Sequence, residues 1–308
     1  MNIIRAAEEL NPQGRKVCLA IGFFDGVHLG HQQIIRQTIA DARQHDAIAL
    51  VITFDSHPAK IVAPERAPKL IYSLPHKLRA IESLGADSLL LIHFDKPFSR
   101  QTGEQFIRAL AADPGRIQTI CVGANFTFGH KRKGNVALLE QLGRELGFTV
   151  HGMAAVSLGG KIISSTRVRE AIQNGNFDLA GQMLGRAYSL TGVVVPGDRL
   201  GHQLGFPTAN LDASELVLPP AGVYAARVIE NGKSHQAVLN IGFRPTIQNP
   251  TPSLRVEIHL LDFAGELYGR ELEVFFRGKL REEKKFASLA ELKEQIARDI
   301  SNARSGMA

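Results

Sequence analysis

Apolar positions in the first part of the chain follow two alternating rhythms. Residues 17–21, 47–54, 88–94 and 117–122 are short, nearly continuous apolar runs, the pattern of strands buried on both faces. Between them Ile34, Ile35, Thr38, Ile39 and Ala42 recur at helical spacing, and 74–84, 103–112 and 136–146 read as further helices. Alternation of strand and helix implies parallel pairing through right-handed crossovers. The expected fold class for this part is therefore α/β, a doubly wound parallel sheet whose ligands gather at the carboxyl ends of its strands.

Near residue 186 the rhythm changes. Two short helical stretches, 166–173 and 177–184, give way to strand-like segments at 188–195, 223–230, 234–240, 254–262 and 271–276. Turn signals such as Asn231-Gly232 separate them, which predicts a small antiparallel β-barrel. Leu289, Leu292, Ile296 and Ile300 then form one stripe of a closing helix, with Ser288 as its N-cap and Glu291 completing a capping box. The expected domains are 1–186 and 187–308, with no internal repeat or low-complexity linker between them.

Composition narrows the class. At 44% hydrophobic and 21% charged residues the chain is globular rather than fibrous or disordered, and its 308 residues suit two domains. No run reaches the ~18 apolar residues of a membrane span, and residues 1–10 lack the features of a signal peptide. Cys18 and Cys121 lie in apolar runs, read as buried reduced thiols, and are too few for a zinc site, so a cytoplasmic location is expected. The net charge of +6 falls wholly within 1–186, which suits an anionic ligand but equally an ordinary basic surface. Without arginine-rich runs or tryptophan, nucleic acid is not expected as a partner. No obligatory protein partner is evident either.

Chemistry concentrates where strands end. Gly22-Phe23-Phe24-Asp25-Gly26-Val27-His28-Leu29-Gly30-His31 falls at the passage from the first strand to the first helix. Glycines allow close backbone approach, and a helix start offers free N–H groups to phosphate. His28 and His31 could donate hydrogen bonds to charge developing at phosphorus, or be solvated turn histidines. Ser164, Ser165 and Thr166 can cap the next helix and offer hydroxyls to a triphosphate, with Arg169 one turn in; a capped surface helix fits the same pattern. Asn125 could orient a ribose or phosphate, or close a loop, and Lys131-Arg132-Lys133 fits a solvated face.

These segments carry a family resemblance. The glycine-histidine stretch resembles the HxGH signature of Rossmann-like nucleotidyltransferases, and more narrowly their flavin-adenylating branch. Phe54 through Asp55-Ser56-His57-Pro58, Gly123 through Asn125 to Gly129, and Ser164-Ser165-Thr166-x-x-Arg169 match in order. In the second part, Gly197, Gly201 and Leu204-Gly205-Phe206-Pro207-Thr208-Ala209-Asn210 resemble the riboflavin kinase module, as do Asn240 to Thr246 and Glu257-Ile-His259. No P-loop motif is present. From about Arg15 to Ile300 the chain resembles the bacterial bifunctional riboflavin kinase/FAD synthetase family. It departs at Phe23, where Asn is frequent, at Asp55-Ser56, and at His202-Gln203, where a basic residue usually follows Gly201.

The resemblance implies a flavoprotein-type transferase with two sites. The second domain would phosphorylate riboflavin to FMN with ATP, and the first would adenylylate FMN to FAD with release of pyrophosphate. It assigns His28, His31 and Arg169 to adenylyl-site catalysis. Gly22, Phe23, Asp25, Gly30, Phe54, His57, Asn125, Ser164, Ser165 and Thr166 would bind nucleotide there. For the kinase it implies nucleotide binding by Gly197, Gly201 and Pro207, Mg²⁺ on Thr208 and Asn210, and Glu257 as general base. From the residues alone, strand alternation puts Arg255, Glu257 and His259 on one face, which would equally suit a solvent-facing strand. Readings from other classes are a monofunctional adenylyltransferase with a regulatory barrel, or a non-catalytic flavin or nucleic-acid binder.

Overall fold

The computed structural model describes residues 1–10, 14–112, 116–197, 201, 204–244 and 253–306; the His202-Gln203 departure lies outside them. The chain divides into two compact units, Met1–Leu70 with Leu74–Ser165, and Ile71–Ser73 with Thr166–Ala308.

The first unit runs β1 (Asn2–Ile4), β2 (Val17–Ile21), α1 (Leu29–Gln44), β3 (Ile48–Phe54), α2 (Ala59–Val62), α3 (Leu74–Glu82), β4 (Ser88–Ile92), α4 (Gly103–Leu110) and β5 (Ile117–Gly123). It continues through β6 (Thr127–Phe128), β7 (Gly134–Asn135), α5 (Val136–Leu146), β8 (Thr149–Met153), β9 (Ser157–Leu158) and β10 (Lys161–Ile162). Six strands form one parallel sheet in the order β1-β4-β3-β2-β5-β8. Every residue of β2 is buried, as a central strand covered on both faces requires. The α1 stripe predicted from spacing is buried at Ile34, Ile35, Thr38, Ile39 and Ala42. From β2 the chain winds outward to β3 and β4, then returns to the other side of β2 for β5. That reversal makes the carboxyl ends of β2 and β5 the topological switch point, the place where sheets of this kind bind ligands.

The second unit carries α6 (Ser165–Gln173, whose first residue belongs to the first unit), α7 (Phe177–Leu184) and a closed barrel. Its strands are β11 (Ser189–Val195), β12 (Ala209–Leu211), β13 (Gly222–Glu230), β14 (Lys233–Arg244), β15 (Ser253–Leu260) and β16 (Glu271–Arg281); α8 (Leu289–Arg304) follows. All neighbours pair antiparallel in the order β11-β12-β15-β14-β13-β16, and β16 closes onto β11. Asn231 and Gly232, at φ 46° and 77°, join β13 to β14 as the tight turn their sequence predicts. Phe177 stacks on Phe276 at 4.6 Å and on Tyr188 at 6.0 Å, fixing α7 to the barrel.

Two details differ from the sequence expectation. Ser288 caps α8 by accepting from the Glu291 N–H, but the Glu291 carboxylate accepts from the N–H of Ala287 instead of Ser288. Leu289 is 62% exposed, so the apolar stripe of α8 begins at Leu292. Among the described residues no helix is long and apolar enough to cross a membrane.

Candidate functional site

In the first unit the site begins where β2 ends. Gly22 lies under the Phe24 ring, where a Cβ would approach to 2.7 Å. Phe24, Gly26 and Val27 then adopt positive φ of 54°, 74° and 42°. A β-branched residue in that region is strained, so the turn must be held from outside. Side-chain donors hold its carbonyls. Thr53 Oγ1 donates to Phe23 O at 3.0 Å, Ser165 Oγ to Asp25 O at 3.0 Å, and Gln32 Nε2 to Val27 O at 2.9 Å.

Lys77 is the unexpected member of this group. Buried on α3, its ammonium donates to Phe54 O at 2.7 Å and to Phe23 O and Thr53 Oγ1, each at 3.3 Å, and it lies 4.3 Å from the Phe23 ring centroid. Burial pulls its pKa down to about 8, against the pull of Asp25 and Asp55 in the other direction. The lysine therefore ties the ends of β2 and β3 together. Its sequence signal is a charged residue on the apolar stripe shared with Ala80 and Ile81.

The turn delivers two histidines to the start of α1. His28 is the N-cap, accepting from the His31 N–H through Nδ1 at 3.4 Å, which leaves Nε2 to face outward as a donor. The rings of His28 and His31 stack at 3.6 Å. Burial, then the nearby His28 and Lys77, hold the His31 pKa well below 6.5, and His31 Nδ1 is buried without a hydrogen-bond partner among the described residues. A stacked imidazole pair at a helix N-terminus is a site that gains from an anion.

The other adenylyl candidates surround this turn or lie apart from it. Asp25 is buried, and Gly30 sits in the first turn of α1 against the His28 ring. His57 packs edge-on against Phe23 at 4.6 Å and accepts from the Ala59 N–H through Nδ1. Phe54 enters an aromatic cluster with Phe94 at 5.6 Å and Phe98 at 6.0 Å. Asn125 follows β5 and is exposed. Ser164 is half-buried, while Thr166 and Arg169 sit on α6 in the second compact unit.

The second unit builds its site from barrel register. Asn210 on β12 pairs with Glu257 on β15, Glu257 with Asn240 on β14, Asn240 with Val223 on β13, and Val223 with Arg281 on β16. This row lines one cavity of about 430 Å³, together with Gly201, Thr208 and residues of α8. The alternate residues Val256 and Ile258 on β15, and Leu239 and Ile241 on β14, are buried in the apolar core. Arg255, Glu257 and His259 thus share one face, and that face is a cavity wall rather than open surface. The Glu257 carboxylate has no hydrogen bond or ion pair among the described residues, whereas His259 donates through Nδ1 to Pro207 O at 2.8 Å. Gly197 packs so closely on the Asn210 amide that any Cβ would occupy the amide's place. Pro207 and Thr208 also border a second cavity of about 490 Å³.

Arg281 and Asp299 complete the wall. The guanidinium meets the carboxylate through Nε at 3.1 and 3.0 Å and through Nη2 at 2.9 Å, and Gln295 donates to the same carboxylate at 2.8 Å. This pins α8 to β16. Neither residue stood out in the sequence: an Arg and an Asp 18 positions apart carry no local motif.

Comparison with known proteins supplies a family. The FAD synthetase model matches residues 10–167 and the riboflavin kinase model residues 184–307. The bifunctional riboflavin kinase/FMN adenylyltransferase of Escherichia coli K12 is 40% identical over 306 residues, covering 99% of this chain and 97% of the relative. The protein of the same description in Bacillus subtilis is 35% identical, covering 94% and 92%. A crystal structure described as a macrolide-efflux protein from Streptococcus pneumoniae superposes with a TM-score of 0.80 at 28% identity, covering 98% of each chain.

Proposed function

The chain belongs to the bifunctional riboflavin kinase/FMN adenylyltransferase family, and from that premise we propose how its residues divide the two reactions. The enzyme transfers the γ-phosphoryl group of ATP to riboflavin, giving FMN and ADP, and then joins FMN to the AMP moiety of ATP, giving FAD and pyrophosphate. We assign adenylylation to residues 1–186 and phosphorylation to 187–308; the two family segments end at 167 and begin at 184.

In the kinase, Glu257 accepts the proton of the ribityl hydroxyl as its oxygen attacks phosphorus. The observation that carries this role is a carboxylate with no partner among the described residues, in the middle of a cavity-lining row between two asparagines. A general base must be free to take a proton at hydrogen-bond distance. Thr208 and Asn210 fit a magnesium ion arriving with the nucleotide: both offer neutral oxygens, and Gly197 leaves the Asn210 amide a cradle that any side chain would fill. When bound, Mg²⁺ offsets phosphate charge. Gly201 and Pro207 border the nucleotide.

In the adenylyl site the FMN phosphate attacks the α-phosphorus and pyrophosphate leaves. His28 and His31 donate hydrogen bonds to the growing negative charge, aided by the N-terminus of α1. Gly22, Phe23, Asp25, Gly30, Phe54, His57, Asn125, Ser164, Ser165 and Thr166 line or shape the nucleotide site, and Arg169 supplies a fixed cation. The buried, reduced Cys18 and Cys121 accord with a cytoplasmic enzyme.

Purified protein given riboflavin and MgATP should accumulate FMN and then FAD by chromatography. Glu257→Ala should abolish FMN formation while FMN-to-FAD conversion continues. A folded Glu257→Ala protein that still makes FMN would refute the assignment.

A further inference from the structure

Away from the strained turn, α1, β5 and β8 bring together three side chains that neither reaction uses. Cys121 and His151 are register partners on β5 and β8, so their side chains leave the sheet on the same face. Asp41, near the end of α1, reaches both: its Oδ2 is 3.4 Å from Cys121 Sγ and 3.2 Å from His151 Nδ1. One ligand atom from each residue lies within 4.8 Å of the others.

We propose that Asp41 Oδ2, Cys121 Sγ and His151 Nδ1 form a three-ligand site for a zinc-like divalent transition ion, with water in the fourth position. Two of its three edges, 3.4 and 3.2 Å, already have the length such a centre needs, and the third, Cys121 to His151, lies within 4.8 Å and closes with a small side-chain adjustment. With roughly 2.0 Å to oxygen or nitrogen and 2.3 Å to sulfur, tetrahedral angles set ligand–ligand edges of about 3.3–3.5 Å. The donor set, one thiolate, one imidazole and one carboxylate, selects zinc or cobalt over magnesium or calcium. Gln37 donates to the other Asp41 oxygen at 2.7 Å, the kind of outer hydrogen bond that orients a ligating carboxylate. The His151 side chain is 35% exposed, which gives the ion and its water a route from solvent.

Binding replaces the Cys121 S–H bond with a sulfur–metal bond and releases that proton to solvent. Burial, with Asp41 beside it, pushes the thiol up to about 12, and a dication seated between thiolate and carboxylate offsets both effects. Two cysteines alone do not make a zinc site. The fold supplies the other ligands from a helix and an edge strand, 80 and 30 residues away in sequence. The ion would clamp the later turns of α1, the helix whose start bears His28 and His31, to β5 and β8.

Cobalt reports on this directly. Full-length protein, stripped with chelator and titrated with Co²⁺, should develop a sulfur-to-cobalt charge-transfer band and intense visible bands of a tetrahedral ion at one equivalent, and Zn²⁺ should bleach them. Cys121→Ser should lose the charge-transfer band while Cys18→Ser keeps it. His151→Ala, at a half-exposed position that tolerates truncation, should lose the tetrahedral bands and the Zn²⁺-induced rise in Tm. Gln37→Ala should weaken Co²⁺ binding by roughly 10–100-fold. Cobalt at oxygen ligands elsewhere gives no sulfur band. Absence of that band in wild type, or its survival in Cys121→Ser, would overturn the proposal, as would an unchanged Zn²⁺ effect on Tm in folded His151→Ala.

Discussion

Replacing Lys77 by Met tests whether the adenylyl turn is held in place from α3. Met keeps most of the lysine's length and removes its charge and donors. Two energies compete. Holding a buried ammonium whose pKa has fallen from 10.5 to about 8 costs about 3 kcal/mol near neutral pH, at roughly 1.4 kcal/mol per unit. Against this stand a charge-assisted hydrogen bond to Phe54 O at 2.7 Å and two longer ones at 3.3 Å, together worth about 3–4 kcal/mol. The terms nearly cancel, so Lys77→Met should unfold within ~1 kcal/mol of wild type at pH 7. Its effect should fall on activity. A turn that shifts by ~1 Å misplaces His28 and His31 and should slow FMN adenylylation about 100-fold, with riboflavin phosphorylation unchanged.

The sign of the pH dependence separates this account from a merely packed lysine. Between pH about 8 and 10.5 the unfolded state binds more protons at this residue than the folded state does. Stability therefore rises with pH across that window: the full cost is present below the folded value and is gone above the unfolded one. Relative to Lys77→Met, wild type should gain roughly 2 kcal/mol between pH ~7.5 and ~9.5. Paired denaturant titrations at the two pH values measure it. A difference between the two proteins that stays flat with pH, or full FAD synthesis by Lys77→Met, would refute the reasoning.

Three further outcomes follow from the same geometry. Combined His28→Ala and His31→Ala should lower kcat for FAD formation by ~10³-fold and leave FMN formation intact, which single-turnover assays on FMN and on riboflavin would separate. Because the His31 pKa is held well below 6.5 in the free protein, a triphosphate beside it should raise that pKa, and ATP binding near pH 6.5 should be accompanied by net proton uptake. Calorimetry in buffers of different ionisation enthalpy reads that uptake, and its persistence in His31→Ala would contradict the assignment. Asp299→Asn should destabilise the barrel by about 3 kcal/mol and raise the KM for riboflavin, since Arg281 loses its buried partner and α8 its pin; an unchanged unfolding midpoint would count against it.

The fold was legible wherever burial imposed a rhythm. Strands covered on both faces, such as β2 and β5, declare themselves as apolar runs, and Asn231-Gly232 fixes its hairpin by backbone preference alone. What escaped were elements with little apolar surface to bury. β8, Thr-Val-His-Gly-Met, is exposed or half-buried throughout at the sheet edge, and β1 and β12 have three residues each. The missing β12 matters most, since the barrel closes only with it and its middle residue is Asn210. Site residues were legible where one stretch of chain carries several of them, as from Gly22 to His31. Lys77, Arg281 and Asp299 each act through residues distant in sequence, and no local pattern marks such a meeting.

Barrel register links these two kinds of information. Asn210, Glu257 and Asn240 meet because three strands pair at one level, and Val256 and Ile258 are buried because they occupy the alternate positions of the same strand. A slip of one residue in β15 would drive Glu257 into the apolar interior and turn Val256 or Ile258 toward the cavity. The slipped state loses both the buried apolar surface and the base, so packing that stabilises the correct register also selects the arrangement that can take a proton. The chemistry needs no strained or separately stabilised base; it needs the period-2 alternation of a strand that one face must bury. The adenylyl turn is the opposite case, since positive φ at Phe24 and Val27 is unfavourable on its own and persists through donors from four other segments: Gln32, Thr53, Lys77 and Ser165. Substitutions at those four donors should therefore impair FAD synthesis more than they impair folding, whereas substitutions that loosen β15 should impair both together.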